Sequence, residues 1–163
     1  MGYGRINTLR AILAASAFNP ELPWFREVEI DGCMILHDYE NIKEDEEKTS
    51  QFHEGLTITY QLGPFQPPVE LPVWIDTVGG EIRGEVRLSM HWKTDSSIDL
   101  KYNIKLYEGT STDTTDLDGE DSDMINIPND RSVDLDKRVT NTDEREPRDY
   151  INLNLHISNK KRS

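Results

Sequence analysis

The sequence predicts an all-β fold: an antiparallel β-sandwich, jelly-roll or C2-like in kind, preceded by a short N-terminal helix. Three observations carry this. Apolar residues recur with period 2 in four separate segments. Turn-forming residues separate those segments at short intervals. No helical pattern alternates with the strands, so a parallel sheet of βαβ units is not expected. At 163 residues the chain is long enough to bury a core without staples. The organisation read from it is a helix and lead-in over 1–25, then one sandwich domain over 26–163 with acidic loops at 108–149.

The helix is expected over residues 8–18, TLRAILAASAF, where good helix formers follow the potential cap Asn7 or Thr8. Asn19-Pro20 ends it, because a residue before proline avoids the α region. Leu9, Ile12, Leu13 and Ala17 form an apolar stripe along it. Arg5 and Arg10 ahead of this run echo a secretory signal. The apolar stretch is short and its small-residue site poorly placed, so a helix packed on the domain is the reading.

After residue 25 the period falls to 2. Glu27–Ile30 and Cys33–Leu36 are short strand candidates, with Asp31-Gly32 between them as a tight-turn signal. Leu56, Ile58, Tyr60 and Leu62 alternate with polar residues. Val69–Ile75 is placed at a sheet edge because Pro72 interrupts it. The clearest strand is Ile82–Trp92, with Ile82, Val86, Leu88, Met90 and Trp92 on one face and charged residues on the other. Ile98–Leu106 repeats the pattern, and the polar stretch Lys93–Ser97 has hairpin length. Met124–Ile127, Val133–Leu135 and Ile151–Ile157 complete the set. The expected core contains Leu56, Ile58, Val86, Leu88, Trp92, Leu100, Ile104, Leu153 and Leu155. In architecture this resembles calcium-dependent and carbohydrate-binding sandwiches, a likeness that says little about function by itself.

Charge sharpens the picture. The formal net charge is −13. Fourteen acids against five bases lie between Glu108 and Asp149, and a second cluster is Glu44–Glu47. A nucleic-acid partner is not expected, because phosphates need a positive face and only the tail Lys160–Arg162 is basic. No apolar run approaches the roughly 20 residues of a membrane span. Cys33 is the only cysteine, so neither an internal disulfide nor a cysteine-based zinc cluster can form.

The densest acidic stretch, Thr110–Asp123, suggests a divalent-ion site on Asp116, Asp118, Asp121 and Asp123, with Ca²⁺ the expected ion. Hard oxygen ligands, a glycine at the turn and no nearby His or Cys favour calcium over zinc. An EF-hand is not expected, since Thr114 and Ile125 occupy positions that the motif gives to Asp and Glu. Asn141–Glu144 or Glu146–Asp149 would supply further ligands from a second loop. A solvated surface loop is the competing reading.

Other constellations are sparser. His91 and His156 lie on polar strand faces and would meet only if their strands were neighbours. Cys33, in an apolar strand start, reads as a core thiol. The aromatics Trp24, Phe25, Phe65, Trp74, Trp92 and Tyr107 are the candidates for a stacking platform for a sugar or an apolar partner residue; among them Trp92 reads as core, while Trp24 and Trp74 are the better candidates for exposure. No nucleophile elbow or phosphate loop is present, so the reading leans away from an enzyme. The leading function is a non-catalytic module that recognises a protein or glycan through its rim loops, with calcium ordering them. The alternatives are a hydrolase using rim carboxylates or a metal, and an assembly subunit or oligomer docking through edge strands and the N-terminal helix. The compartment is not legible.

Overall fold

The computed structural model describes residues 25–39, 44–142 and 148–161, which form two five-stranded antiparallel sheets. The helix expected over 8–18 lies outside the described residues. The strands are β1 (Arg26–Asp38), β2 (Glu46–Gln51), β3 (Ile58–Leu62), β4 (Val69–Glu70), β5 (Trp74–Val78), β6 (Ile82–Trp92), β7 (Ile98–Tyr107), β8 (Leu117–Ile127), β9 (Arg131–Thr140) and β10 (Tyr150–Lys161).

One sheet runs β2-β1-β10-β9, with β3 also pairing β1. The other runs β4-β6-β7-β8, with β5 also pairing β6. Each long strand, β1 or β6, thus carries two short strands end to end on one side. The sheets meet through alternating side chains that are almost wholly buried: Val28, Ile30, Met34 and Leu36 of β1 face Val86, Met90, Leu100 and Ile104 of the opposite sheet. Burying each such aliphatic group contributes roughly 1.5–3 kcal/mol. Leu153 and Leu155 are buried too, as expected.

Several expectations change. Asp31-Gly32 is not a turn: β1 runs straight through it, in continuous register with β10 from Arg26↔Lys161 to His37↔Tyr150. Gly32 takes φ 149°, and a Cβ there would come within 2.9 Å of Leu155, so the glycine serves close strand approach instead of a reversal. Leu56 is not core. It is 66% exposed, because the turn Phe52–Gly55 ahead of it displaces it from the strand and β3 begins only at Ile58. Ile58 is half-buried. Pro72 splits the expected Val69–Ile75 strand into β4 and β5.

One acidic stretch expected in a loop is a strand, and two expected short strands are longer. β2, Glu46–Gln51, has no apolar alternation, and its pairing with β1 and its contacts to β5 hold it in place. There Lys48 bonds Asp76, and the Trp74 indole donates to the Ser50 hydroxyl at 3.0 Å. Within 108–149, the expected strands Met124–Ile127 and Val133–Leu135 are parts of the longer β8 and β9, which take in acidic residues assigned to loops.

Candidate functional site: two rims of the sandwich

The strand registers put the connections at two opposite ends. One end gathers 63–68, 93–97 and 128–130 with the start of β1 and the end of β10. The other gathers the connections that follow β1, β5, β7 and β9. Charge divides the same way. Glu44–Glu47, Glu81, Glu108, Asp113, Asp116, Asp118 and Asp149 lie at the second end, the acidic rim. Arg26, Lys93, Arg131, Lys160 and Lys161 lie at the first, the aromatic rim, with Asp95 and Asp130 among them.

The four carboxylates expected to share an ion are spread along the acidic rim and β8. Asp116 is exposed, in the loop before β8. Asp118 sits at a β-bulge: Tyr107 pairs with Leu117 and Leu106 with Gly119, so Asp118 is the extra residue and turns into the rim. Its carboxylate accepts the Glu108 N–H at 2.9 Å, and its carbonyl accepts both the N–H and the hydroxyl of Thr142 at 2.9 Å. Asp118 therefore ties the loop after β7 to the loop after β9.

Asp121 and Asp123 lie further along β8, opposite Ile104 and Tyr102, on the face turned toward the other sheet. Lys137 of β9 stands 3.8 Å from Asp121 and 5.6 Å from the centre of the Tyr102 ring. The Tyr102 hydroxyl, and after it the two aspartates, hold the Lys137 ammonium above its ordinary range. β8 and β9 are edge strands of their sheets, and inward charges of this kind discourage edge-to-edge pairing with another chain. Part of the counter-charge that the acidic stretch needs is thus a lysine of the same chain. No group of three or more His, Cys, Asp or Glu among the described residues is arranged to hold a metal ion.

The acidic rim is knit together elsewhere as well. Asp149 is buried and accepts the Tyr39 N–H at 2.6 Å, while Asn141 donates its N–H to the Asp149 carbonyl at 2.9 Å and its amide to Glu108. Arg83 reaches across to the Thr112 carbonyl at 2.8 Å and stacks on Tyr107.

The aromatic rim carries a residue that the sequence places among the platform candidates without favouring it, Phe65. Gly63-Pro64-Phe65-Gln66 is a tight turn closed by Gln66 N–H to the Gly63 carbonyl at 3.4 Å. Proline at its second position and positive φ at its third make the type II pattern, whose third position favours glycine. The residue there is Phe65, at φ 66° and 58% exposed. Neither backbone preference nor burial accounts for phenylalanine in that place. Below the turn, the Phe25 ring lies so close to Gly63 that a Cβ would meet it at 2.5 Å. Beside it opens a groove of about 540 Å³, lined by Pro64, Phe65, His91, Trp92, Lys93 and Thr94 among others. Trp92 is half-buried, and its indole N–H is buried without a hydrogen-bond partner among the described residues. A polar group left in that state costs free energy, and His37 Nδ1 at the acidic rim is left so as well.

The floor of this rim is well satisfied. Asn159 is fully buried, donates to the carbonyls of Ser96, Ile127 and Pro128 at 3.0–3.2 Å, and accepts from Arg26 at 2.8 Å. Arg26, 2% exposed, also pairs with Asp130.

The remaining sequence candidates separate. His91 lies on β6 and His156 on β10, in different sheets, so they do not pair. His156 bonds Asp134 at 2.6 Å on an open sheet face. Cys33 is half-buried on the outward face of β1 and not in the core, because β1 keeps one alternation through Gly32. Trp74 packs edge-on against Phe52, and Trp24 lies outside the described residues. The signal that was available for Phe65 was an aromatic residue among glycine and prolines where no strand alternation runs.

No protein-family model and no curated protein matches the chain. Among solved structures it is similar to the secretin InvG of the Salmonella SPI-1 type III secretion injectisome, residues 176 to the end, in the open gate state. The identity is 9%, the match covers 96% of this chain and 64% of that one, and the TM-score is 0.27. The chain therefore spans less than two thirds of that structure's length, and a score of this size fixes neither topology nor function.

Proposed function

We propose that this chain is a non-catalytic β-sandwich module that takes a protein or glycan partner at its aromatic rim. The observation that supports this is Phe65: a large apolar side chain, mostly exposed, held in a backbone conformation that costs of order 1–3 kcal/mol outside glycine. Strain of that kind persists where something other than stability maintains it. Trp92 and Phe65 offer two aromatic surfaces, and His91, Lys93 and Thr94 supply polar groups around them. Concave sites of this composition, largely apolar with a few polar groups, suit small-ligand and side-chain recognition.

The test uses Phe65→Gly, which relieves the backbone and removes the ring. Glycan and peptide arrays are probed with both forms. Ligands held by the wild type and weakened at least tenfold in a variant that melts no lower support the proposal. Ligands bound equally by both forms, or arrays without ligands, refute it.

A further inference from the structure

The groove beside Phe65 opens where the two sheets part. One wall is the connection after β3, Pro64 to Gln66, and the other is the end of β6 with the turn beyond it, His91 to Thr94. Lys93, at its border, is already paired with Asp99 at 3.6 Å, so charge does not choose what fills the groove. Reach is the stronger selector. Arg26 pairs with Leu62 at the end of the β1–β3 ladder, and one step earlier the Phe25 ring lies against Gly63, the first residue of the Phe65 turn. The chain therefore enters β1 directly past that turn. What leads into Phe25 is Pro20-Glu-Leu-Pro-Trp24, which lies outside the described residues and carries one charge, Glu21, beside Leu22 and Trp24.

We propose that Leu22-Pro23-Trp24 of the same chain seats in the Phe65–Trp92 groove and covers it until a partner displaces it. The proposal rests on the groove being the binding site described above and adds how that site is regulated. Continued back, the β1–β3 register sets Trp24 level with Pro64 and Pro23 level with Phe65. Arg26, Val28 and Ile30 are buried between the sheets, and the same alternation gives Trp24 that side, where the groove lies. Pro20 and Pro23 have φ fixed near −65°, so little backbone freedom is lost on seating. With so short a tether the segment meets the groove at a high effective concentration, which no other exposed apolar residue of the chain shares. The exposed Phe65 ring then gains an apolar neighbour. The seat is shallow enough for a partner to enter: filled about three times in four, it lowers a partner's apparent affinity about fourfold. Its loss in Phe65→Gly is outweighed by relief of the backbone there.

Acrylamide quenching of tryptophan emission in the full chain tests this without any partner. The difference between wild type and Trp24→Phe isolates Trp24 from Trp74 and Trp92. That emission should be quenched at least twofold less than the same difference taken in the Phe65→Gly background, and equally so at every protein concentration. A peptide of residues 19–25 should bind Trp24→Ser about fourfold more tightly than the wild type, and any array ligands should show the same gain. Trp24→Ser precedes β1 and should melt within about 3 °C of the wild type. Leu22→Ser repeats the measurement if it melts earlier. Equal quenching in the two backgrounds overturns the proposal. So does protection that disappears on dilution, which would put a neighbouring copy's segment in the groove. If quenching is equal while the arrays find Phe65-dependent ligands, the cover fails and the binding-module reading stands. If Trp24 is protected and the arrays find no ligand, the module reading fails and the groove is the seat of its own chain alone.

Discussion

The acidic rim and the aromatic rim look, by composition, like a functional end and a structural end, and the geometry reverses that impression. At the acidic rim the polar groups are largely used up inside the molecule: Asp118 bonds Glu108 and Thr142, Asp149 bonds Tyr39, and Asn141 bonds Asp149 and Glu108. At the aromatic rim the floor is equally well bonded, through Asn159. What sets that rim apart is Phe65, held at positive φ and mostly exposed. Density of charge marks where loops need tying down. Backbone strain without a local requirement for it is what distinguishes the Phe65 turn.

The sharpest way to break this comparison is at the floor of the aromatic rim. Asn159→Ala strips the partner from three carbonyls and from the buried Arg26, and should cost about 3 kcal/mol by chemical denaturation. A loss under about 1 kcal/mol would mean that this rim is loose throughout.

At the acidic rim, Asp118→Ala leaves the Glu108 N–H without its acceptor and should cost about 1–3 kcal/mol. Hydrogen exchange at Glu108 should speed up with it, while the groove amides stay as protected as before. Unchanged exchange at Glu108 would remove Asp118 from its tying role.

Phe65→Gly should move the other way. Relief of the left-handed φ should raise stability by about 1 kcal/mol, or roughly 2–4 °C in melting temperature. A lower melting temperature would show that the ring is packed for stability, and the contrast between the rims would collapse.

A smaller effect is expected with acid. The hydrogen bond from Arg26 holds the Asp130 carboxyl below its ordinary range. A folded-state pKa below the unfolded one stabilises above the unfolded value, about 3.9, and that contribution is lost as pH falls through the folded value. Asp130 is well exposed, so the contribution is modest. Urea midpoints should therefore fall less steeply below about pH 4 in Asp130→Asn than in the wild type. Equal slopes would mean the pair contributes nothing to acid stability.

The smallest effect is expected from calcium. Asp121 and Asp123 already face Lys137, and Asp118 already holds the Glu108 N–H. Millimolar calcium against chelator should shift the melt by no more than about a degree. A rise of several degrees, lost in the double variant Asp116→Ala, Asp118→Ala, would instead give the acidic rim an ion.

Much of the fold was legible because β6, β7 and β10 each pack one face on the core and show the other to water, which writes a period of 2 into the residues. β8 was legible only at its end. Its inner face reads Gly119, Asp121, Asp123, Ile125, Ile127, and two aspartates where apolar residues are usual concealed the alternation. β2 was invisible for a related reason: Glu46–Gln51 is a strand because β1 offers it an edge, not because of its own composition. The candidate site was less legible, since Phe65 among glycine and prolines is a weak local signal and its positive φ and exposure show only in the folded turn.

By itself, then, the sequence determined the class of fold, the strands that bury one face, and the excess of acid. Those follow from local alternation and composition, which depend on the solvent each side chain must meet and need no partner to be read. The tertiary structure alone decided which charges find one another, as Lys137 finds Asp121 across two edge strands, and that Phe65 stands strained and exposed at one rim. The register Arg26↔Lys161, which carries β1 past a glycine that reads as a turn, belongs with these. Each depends on residues far apart in the chain arriving at one place, and no local pattern encodes such a meeting.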